Sequence, residues 1–274
     1  MTTDPLPKHL TIDKSVGETP LEALERLRAT DPRLKDLPMA YAGRLDPLAS
    51  GRLLILIGDT CKDQEHYHAF DKEYQFTVLL GVCSDSEDVL GMIKTDEKIP
   101  TPSVTEITEV TNSLVGDISL PYPAYSAKTV KGIPLHTWAV TNKLNEIEIP
   151  YRNSHIYKLS VLNITHLLGS QLTDIAMKKI DSIPEVKDPR KKQGNNFRRI
   201  PIKKGWEDFK AKHSKDRFTT VDLNCVASSG TYMRSLAREI AKRLGTVGLA
   251  LHIHRSRIGV CHLVGKDLVW DKEL

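Results

Sequence analysis

The sequence predicts an α+β fold: a central mixed, largely antiparallel sheet flanked by helices and loops. Apolar or alternating runs recur at 53–57, 74–80, 156–164 and 219–227, each of strand length. Helical periodicity is confined to a few segments, and strands and helices mix without the steady βαβ alternation of a doubly wound sheet. With 274 residues, 40% of them hydrophobic and 27% charged, the chain can bury a large core.

The elements follow in order. Thr19, Pro20 and Glu22 predict a helix start, with Thr19 as N-cap, Pro20 in the first helical position and Glu22 closing a capping box. That helix runs to about Ala29 on an apolar face of Leu21, Leu24 and Leu27, and Thr30-Asp31-Pro32 stops it. RLDPLAS at 44–50 reads as a turn, and Gly51 with the following LLILIG reads as a loop entering a buried strand. Residues 73–81 form the next strand. DSEDVLG at 85–91 is polar and glycine-terminated, hence a loop, and PYPAYSAK at 121–128 excludes regular helix or a central strand because proline brings no N–H. Residues 156–164 and 219–227 alternate as strands. The glycine, prolines and asparagines between them suggest an insertion or long loop over 186–217. The clearest helix spans 232–244, where Leu236, Ile240 and Leu244 recur at i, i+4 and i+8 and Gly245 supplies the cap. Its amino end follows Ser228-Ser229-Gly230-Thr231 and presents free N–H groups to an anion.

Charge is unevenly placed. The chain nets +4, yet 186–217 carries twelve Lys and Arg against four Asp and Glu, a local +8 that leaves −4 for the remainder. Cations interleaved with Asn195, Asn196, Phe197 and Trp206 suit phosphate contacts and base stacking. A second basic set is Arg234, Arg238, Lys242 and Arg243 on the predicted helix, with Arg255 and Arg257 beyond it. Nucleic acid is the natural polyanion for such surfaces. Cys61, Cys83, Cys225 and Cys261 are far apart and read as reduced, packed thiols. His66/His68 and His252/His254 read as packed or solvated, so no metal is expected. No apolar stretch approaches the ~18 residues of a spanning helix, and MTTDPLPKHL lacks a signal peptide's apolar segment, so a cytoplasmic protein without membrane attachment is expected.

One residue stands out. Asp46 lies in GRLDPLASG, between glycines and before a proline, where Asp-Pro alone would be a turn former. The longer stretch GRLDPLASGRLLILIGDTCK resembles the catalytic signature of the TruB-type tRNA pseudouridine-55 synthases, G-x-LDP-x-A-x-G-x-L followed by an apolar strand and G-x-x-T-K. Four further stretches agree in order. DKSVGET at 13–19 is similar to the family's DKP-x-G-x-T element. Lys72-Glu73-Tyr74 through Leu80-Gly81 and Asp85-Ser86-Glu87-Asp88 resembles its K-x-Y strand, LG and D-x-x-D loop. PYPAYSAK with Gly132-Ile133-Pro134-Leu135 resembles its PP-x-(Y/F)SA-(L/K)K segment, and SSGTYMRSL at 228–236 its GTY(I/M)R motif.

The resemblance implies a pseudouridine synthase fold and the isomerisation of a T-arm uridine, position 55 of tRNA, by a single catalytic domain over 1–274 that works as a monomer without a cofactor. Asp46 would be the nucleophile, Arg234 its cationic partner, and Tyr74 the ring that stacks on the target base and helps move a proton. Tyr41, Arg44, Asp88, Lys128 and Tyr232 would contact the substrate, and Leu223 and Val226 would shape the pocket wall. The target nucleotide must be extruded from its stem-loop, and unstacking takes on the order of a few kcal/mol. This sequence departs from the pattern at several places: Tyr41 replaces a histidine, Arg44 makes an RLD triplet, and Ser15 and Tyr122 replace prolines. The basic insertion is not a general family feature, and no complete carboxyl-terminal PUA module is expected. The insertion is therefore expected to substitute as an RNA contact. Two other readings remain: an RNA-binding, tRNA-folding protein of the same fold, and a synthase acting on another RNA site. The joint presence of Asp46, Tyr74, Asp88 and Arg234 favours catalysis, since binding alone does not need a carboxylate aimed at a polyanion.

Overall fold

The chain is described here by a computed structural model covering residues 5–96, 98–185, 194–265 and 267–274, with backbone only for 194–197. In chain order the elements are β1 (His9–Lys14), α1 (Pro20–Thr30), β2 (Met39–Ala42), β3 (Ser50–Ile57), α2 (Gln64–His68), β4 (Asp71–Leu80), β5 (Val82–Ser84), β6 (Ile93–Thr95), α3 (Val104–Asn112), β7 (Gly116–Pro121), β8 (Thr129–Val130), β9 (Ile133–Pro134) and α4 (Leu135–Val140). The second half contains β10 (Tyr151–Leu168), α5 (Gly169–Ser182), α6 (Gly194–His213), β11 (Arg217–Ala227), α7 (Met233–Arg243), β12 (Gly248–Val264) and β13 (Asp267–Glu273).

Among the described residues, nine strands make one sheet in the order β1-β3-β12-β4-β11-β10-β7, with β2 added to β3 and β13 to β12. Every pairing is antiparallel except β3 with β12, which run parallel through Ser50 opposite His254 and Gly51 opposite Arg255. The α+β expectation thus holds. The predicted strands 156–164 and 219–227 lie within β10 and β11 and pair with each other. Pro121 ends β7, an edge strand, where a missing N–H breaks no ladder.

Strand alternation divides the core. Phe76, Val78 and Leu80 of β4 face α7, meeting Leu236, Ala237 and Ile240. Leu79 points the other way, into a cluster of Leu172 and Ala176 from α5 with Ile202, Trp206 and Phe209 from α6. α1 covers β3 through Ala23 and Leu24 against Leu53 and Ile55. Its amino end is the expected capping box, Thr19 and Glu22 exchanging backbone N–H bonds. Leu21, expected on the buried face, is exposed instead because the cluster extends along Leu24 and Leu27.

Further expectations need correction. The basic segment is a helix over its described part, α6, packed on α5; residues 186–193 lie outside the described residues. Trp206 offers no ring for base stacking, because it is fully buried and its Nε1 donates to Val89 O at 3.1 Å. The basic set around α7 is not one exposed surface: Arg234 and Arg255 are buried, and Arg238 pairs with Glu87. Leu223 and Val226 are likewise fully buried, Leu223 in the cluster under α7. The four cysteines are free, and among the described residues no three His, Cys, Asp or Glu cluster with metal-ligand geometry. His252 and His254 are packed against Lys179 and Ser50 respectively. Among the described residues no helix is long and apolar enough to cross a membrane.

Candidate active site

The loop between β2 and β3 carries Asp46. Leu45, Leu48 and Ala49 are buried and draw the loop onto the core, and Ala49 N–H donates to Asp46 O at 3.0 Å to close the turn. Two glycines fix its surroundings. Gly17 donates its N–H to Pro47 O at 2.9 Å, and at φ +87° a Cβ there would meet Ser182 O at 2.0 Å. Gly51, at φ +99°, lies so close to β12 that a Cβ would meet Arg255 O at 2.2 Å. The apolar anchors leave the Asp46 carboxylate 38% exposed.

Its partner is the α7 guanidinium. Arg234, 3% exposed, donates from Nε to Asp46 Oδ2 at 2.8 Å, from Nη1 to Ser86 O at 2.8 Å and from Nη2 to Tyr125 O at 3.2 Å. Asp88 Oδ2 lies 3.9 Å from the same Nε. One cation therefore gathers the 43–49 loop, the 85–91 loop, the 121–128 segment and α7. Asp88 is buried, accepts Ser86 Oγ–H at 2.6 Å and Leu90 N–H at 2.9 Å on Oδ1, and has its carboxyl pushed up to about 6 by burial, against the opposing pull of Arg234 and these hydrogen bonds. The next layer pairs Arg238 with Glu87, which also receives Ser235 Oγ–H at 3.0 Å. Burial raises the Glu87 carboxyl in spite of both arginines nearby.

Around this centre the predicted residues divide. Tyr74, on β4 opposite Cys225 and Arg255, packs half-buried on the cluster that includes Leu45, Ala49 and Met233. Tyr232 caps α7, and its phenol is raised by burial and then by the Asp46 charge. Its ring meets Tyr122 edge-on at 5.6 Å, and Lys128 Nζ stands 5.4 Å from the Tyr122 centroid. Tyr41 instead packs with Leu53 and Ile55 beneath α1, and Arg44 projects to solvent; neither hydrogen-bonds or ion-pairs with Asp46.

Sequence reasoning missed the buried cations. Lys14 is 1% exposed, donates to Ser15 O and Glu18 O at 2.8 and 2.7 Å, and is pushed down to about 8 by burial although Glu18 and Asp46 oppose the shift. Arg255 donates to Arg52 O at 2.7 Å and Gly43 O at 2.9 Å, bracketing the Asp46 loop from β12. Lys14 sat in a recognised motif, but nothing local distinguishes Arg255 from a surface arginine. The carbonyl acceptors of Ser86 and Tyr125 likewise leave no side-chain signature.

The arrangement suits a carboxylate nucleophile. Oδ2 is held by a buried guanidinium, while among the described residues Oδ1 has no hydrogen-bond donor and the side chain is partly exposed. Residues 34–179, more than half the chain, match the TruB family pseudouridylate synthase N-terminal domain. The chain belongs to the TruB family of pseudouridylate synthases. It is similar to the tRNA pseudouridine synthase B of Caldicellulosiruptor saccharolyticus, at 29% identity over 92% of this chain and 67% of that protein. It is also similar to that of Aquifex aeolicus, at 27% over 91% and 67%, and to that of Syntrophus aciditrophicus, at 36% over 54% and 46%. The chain spans about two thirds or less of the length of these curated relatives. Its fold matches a chain in the crystal structure of a Cbf5-Nop10-Gar1 complex, with TM-score 0.54, 17% identity and coverage of 92% of this chain and 48% of that one. The TruB-family motifs thus converge in space, with Asp46, Arg234 and Asp88 in one ion-pair network and Tyr232 within reach of the Asp46 charge.

Proposed function

We propose that this chain is a tRNA pseudouridine synthase that isomerises the T-arm uridine at position 55, acting as a monomer in the cytoplasm through a single catalytic domain. The observation that carries the reading is the half-exposed Asp46 carboxylate held on one oxygen by buried Arg234 within TruB-family motifs. In the reaction Asp46 Oδ1 attacks C1′ as the N1–C1′ bond breaks, the detached uracil turns, and C5 bonds to C1′ as the Asp46–C1′ ester bond breaks and frees the carboxylate. The C5 proton leaves to solvent and N1 takes one up, so the change is an isomerisation with no net oxidation. Arg234 holds Asp46 aimed, Tyr74 stacks on the base and assists proton movement, and Asp88 shares the Arg234 charge. Tyr232 and Lys128 line the approach, with Tyr41 and Arg44 as outlying contacts to the RNA.

The test is tritium release from C5-labelled uridine in unmodified tRNA transcript. Asp46→Asn is expected to lower release by at least about 10³-fold while tRNA affinity stays within about threefold. Replacing the T-arm target uridine by cytidine is expected to abolish release by the wild type. Release that survives Asp46→Asn would remove the nucleophile; release that survives the cytidine change would move the target elsewhere.

A further inference from the structure

The basic insertion reaches two of the segments whose carbonyls accept from Arg234. Arg198, in the first turns of α6, stands at φ +59°, a left-handed conformation uncommon for arginine. From there its Nη1 donates to Asp85 Oδ2 at 2.5 Å and its Nη2 to Asp85 Oδ1 at 3.3 Å. Its guanidinium carbon lies 4.8 Å from the centroid of the Tyr125 ring, and Tyr125 Oη–H donates to the same Asp85 Oδ2 at 3.3 Å. Asp85 Oδ1 also accepts Met92 N–H at 2.9 Å, which closes the loop on itself. Arg198, Asp85 and Tyr125 thus form a closed triangle.

Two corners of the triangle adjoin the acceptors of Arg234. Tyr125 supplies one of those carbonyls itself, and Asp85 precedes Ser86, which supplies the other. Trp206, two turns further along α6, holds Val89 O immediately after Asp88. α6 therefore fixes both ends of the 85–89 segment and the chain at Tyr125. We propose that Arg198 is a positioning residue for the isomerisation: its clamp on Asp85 and Tyr125 holds the Ser86 and Tyr125 carbonyls in place and so keeps Arg234 aimed at Asp46. The catalytic half of this inference rests on the synthase reading above, whereas the clamp itself does not. Arginine suits the task, because a planar fork can pair a carboxylate through two nitrogens while its face lies on a ring, which a lysine ammonium cannot do. The same engagement commits Arg198 to the protein rather than to an RNA phosphate.

The experiment compares Arg198→Ala, Arg198→Lys and Asp85→Asn with Lys143→Ala, an exposed position outside the insertion that pairs with Glu146 at 3.8 Å. Steady-state tritium release is read together with amide hydrogen exchange on the full chain. Arg198→Ala is expected to lower kcat by roughly 10- to 100-fold with KM within about threefold, since an ångström of misplacement in a site suffices for such a loss. Arg198→Lys should fall between, Lys143→Ala should match the wild type, and Arg198→Ala combined with Asp85→Asn should be no worse than either alone. The Leu90 and Met92 amides should exchange faster in Arg198→Ala, with those in the middle of α7 unchanged. Should Arg198→Ala fail to fold, Arg198→Lys and Asp85→Asn carry the same expectations. Unchanged kcat in an active enzyme overturns the proposal, as does a salt-dependent rise in KM at constant kcat, which would make Arg198 an RNA contact. If the wild type releases no tritium, the synthase reading fails separately, and unchanged exchange at Leu90 and Met92 still refutes the clamp.

Discussion

Of the two carboxylates beside the Arg234 guanidinium, Asp88 is the enclosed one, held by Ser86 Oγ–H and the Leu90 amide. Its carboxyl rises from about 3.8 to about 6. Between those values the folded chain keeps a proton that the unfolded chain has released. Stability from this group is therefore present below about pH 4 and lost as pH rises through about 6. The loss amounts to on the order of 3 kcal/mol. Asp88→Asn removes the titration, so the fall in stability between pH 4 and pH 7 should be shallower than in the wild type by an amount of that order. Urea midpoints at each pH measure it, and parallel slopes in the two proteins would assign the titration to another group, such as the equally buried Glu87.

At the scale of elements, α6 is the part whose nature the composition conceals. Ile202, Trp206 and Phe209 recur at i, i+4 and i+7 and are buried against Leu172, Phe218 and Leu249. Trp206→Ala should destabilise the fold by roughly 3–5 kcal/mol through the cavity it leaves. Trp206→Phe should cost less, roughly 1–3 kcal/mol, chiefly by leaving Val89 O without its donor. Chemical denaturation measures both, and a Trp206→Ala protein of wild-type stability would mean that α6 is not anchored through this ring. The three-residue pattern was present in the sequence, but Pro201, Gly205 and the surrounding lysines hid it. Counting charge locally misled in the same way: Lys203 and Lys210 pair at 2.5 and 2.8 Å with Asp181 and Asp174 of α5, which fall outside the counted window. The loops around Asp46 and Asp88 were legible because turn chemistry and the family's motifs both fix particular residue types at fixed spacing. So was α1, whose capping box is a local device. β12 was not, because its three histidines and two arginines look like surface until the strands on either side of it are known.

For the whole molecule, the site is an assembly of distant segments, and three buried cations help to hold it. Lys14, Lys72 and Arg255 each donate to backbone carbonyls, with no carboxylate at ion-pair distance among the described residues. Lys14 lies on β1, Lys72 on β4 and Arg255 on β12, so together they join the amino-terminal strands to the centre of the sheet around the Asp46 loop. Carbonyl acceptors let these groups stay buried, but they do not offset the loss of hydration for a full charge. Lys72, 3% exposed, is accordingly pushed down from 10.5 to about 7, by burial first and then by the Arg255 charge. For a base with a depressed folded value, the unfolded chain holds the proton above about pH 7 while the folded chain has released it. Stability is therefore gained as pH rises beyond 7 and lost as pH falls through it. From pH 7 to 8, below the ordinary range of thiols and phenols, Lys72 alone should add about 1 kcal/mol. Lys72→Met keeps the aliphatic stem without the charge and should flatten most of that rise, leaving the smaller contribution of Lys14, whose folded value is about 8. Urea midpoints at pH 6.5, 7.2 and 8 decide the matter. A wild-type curve that is flat or falling over this window, or a Lys72→Met curve that climbs as steeply as the wild type, would show that Lys72 stays charged in the folded protein and that the three cations are held more favourably than their carbonyl partners imply.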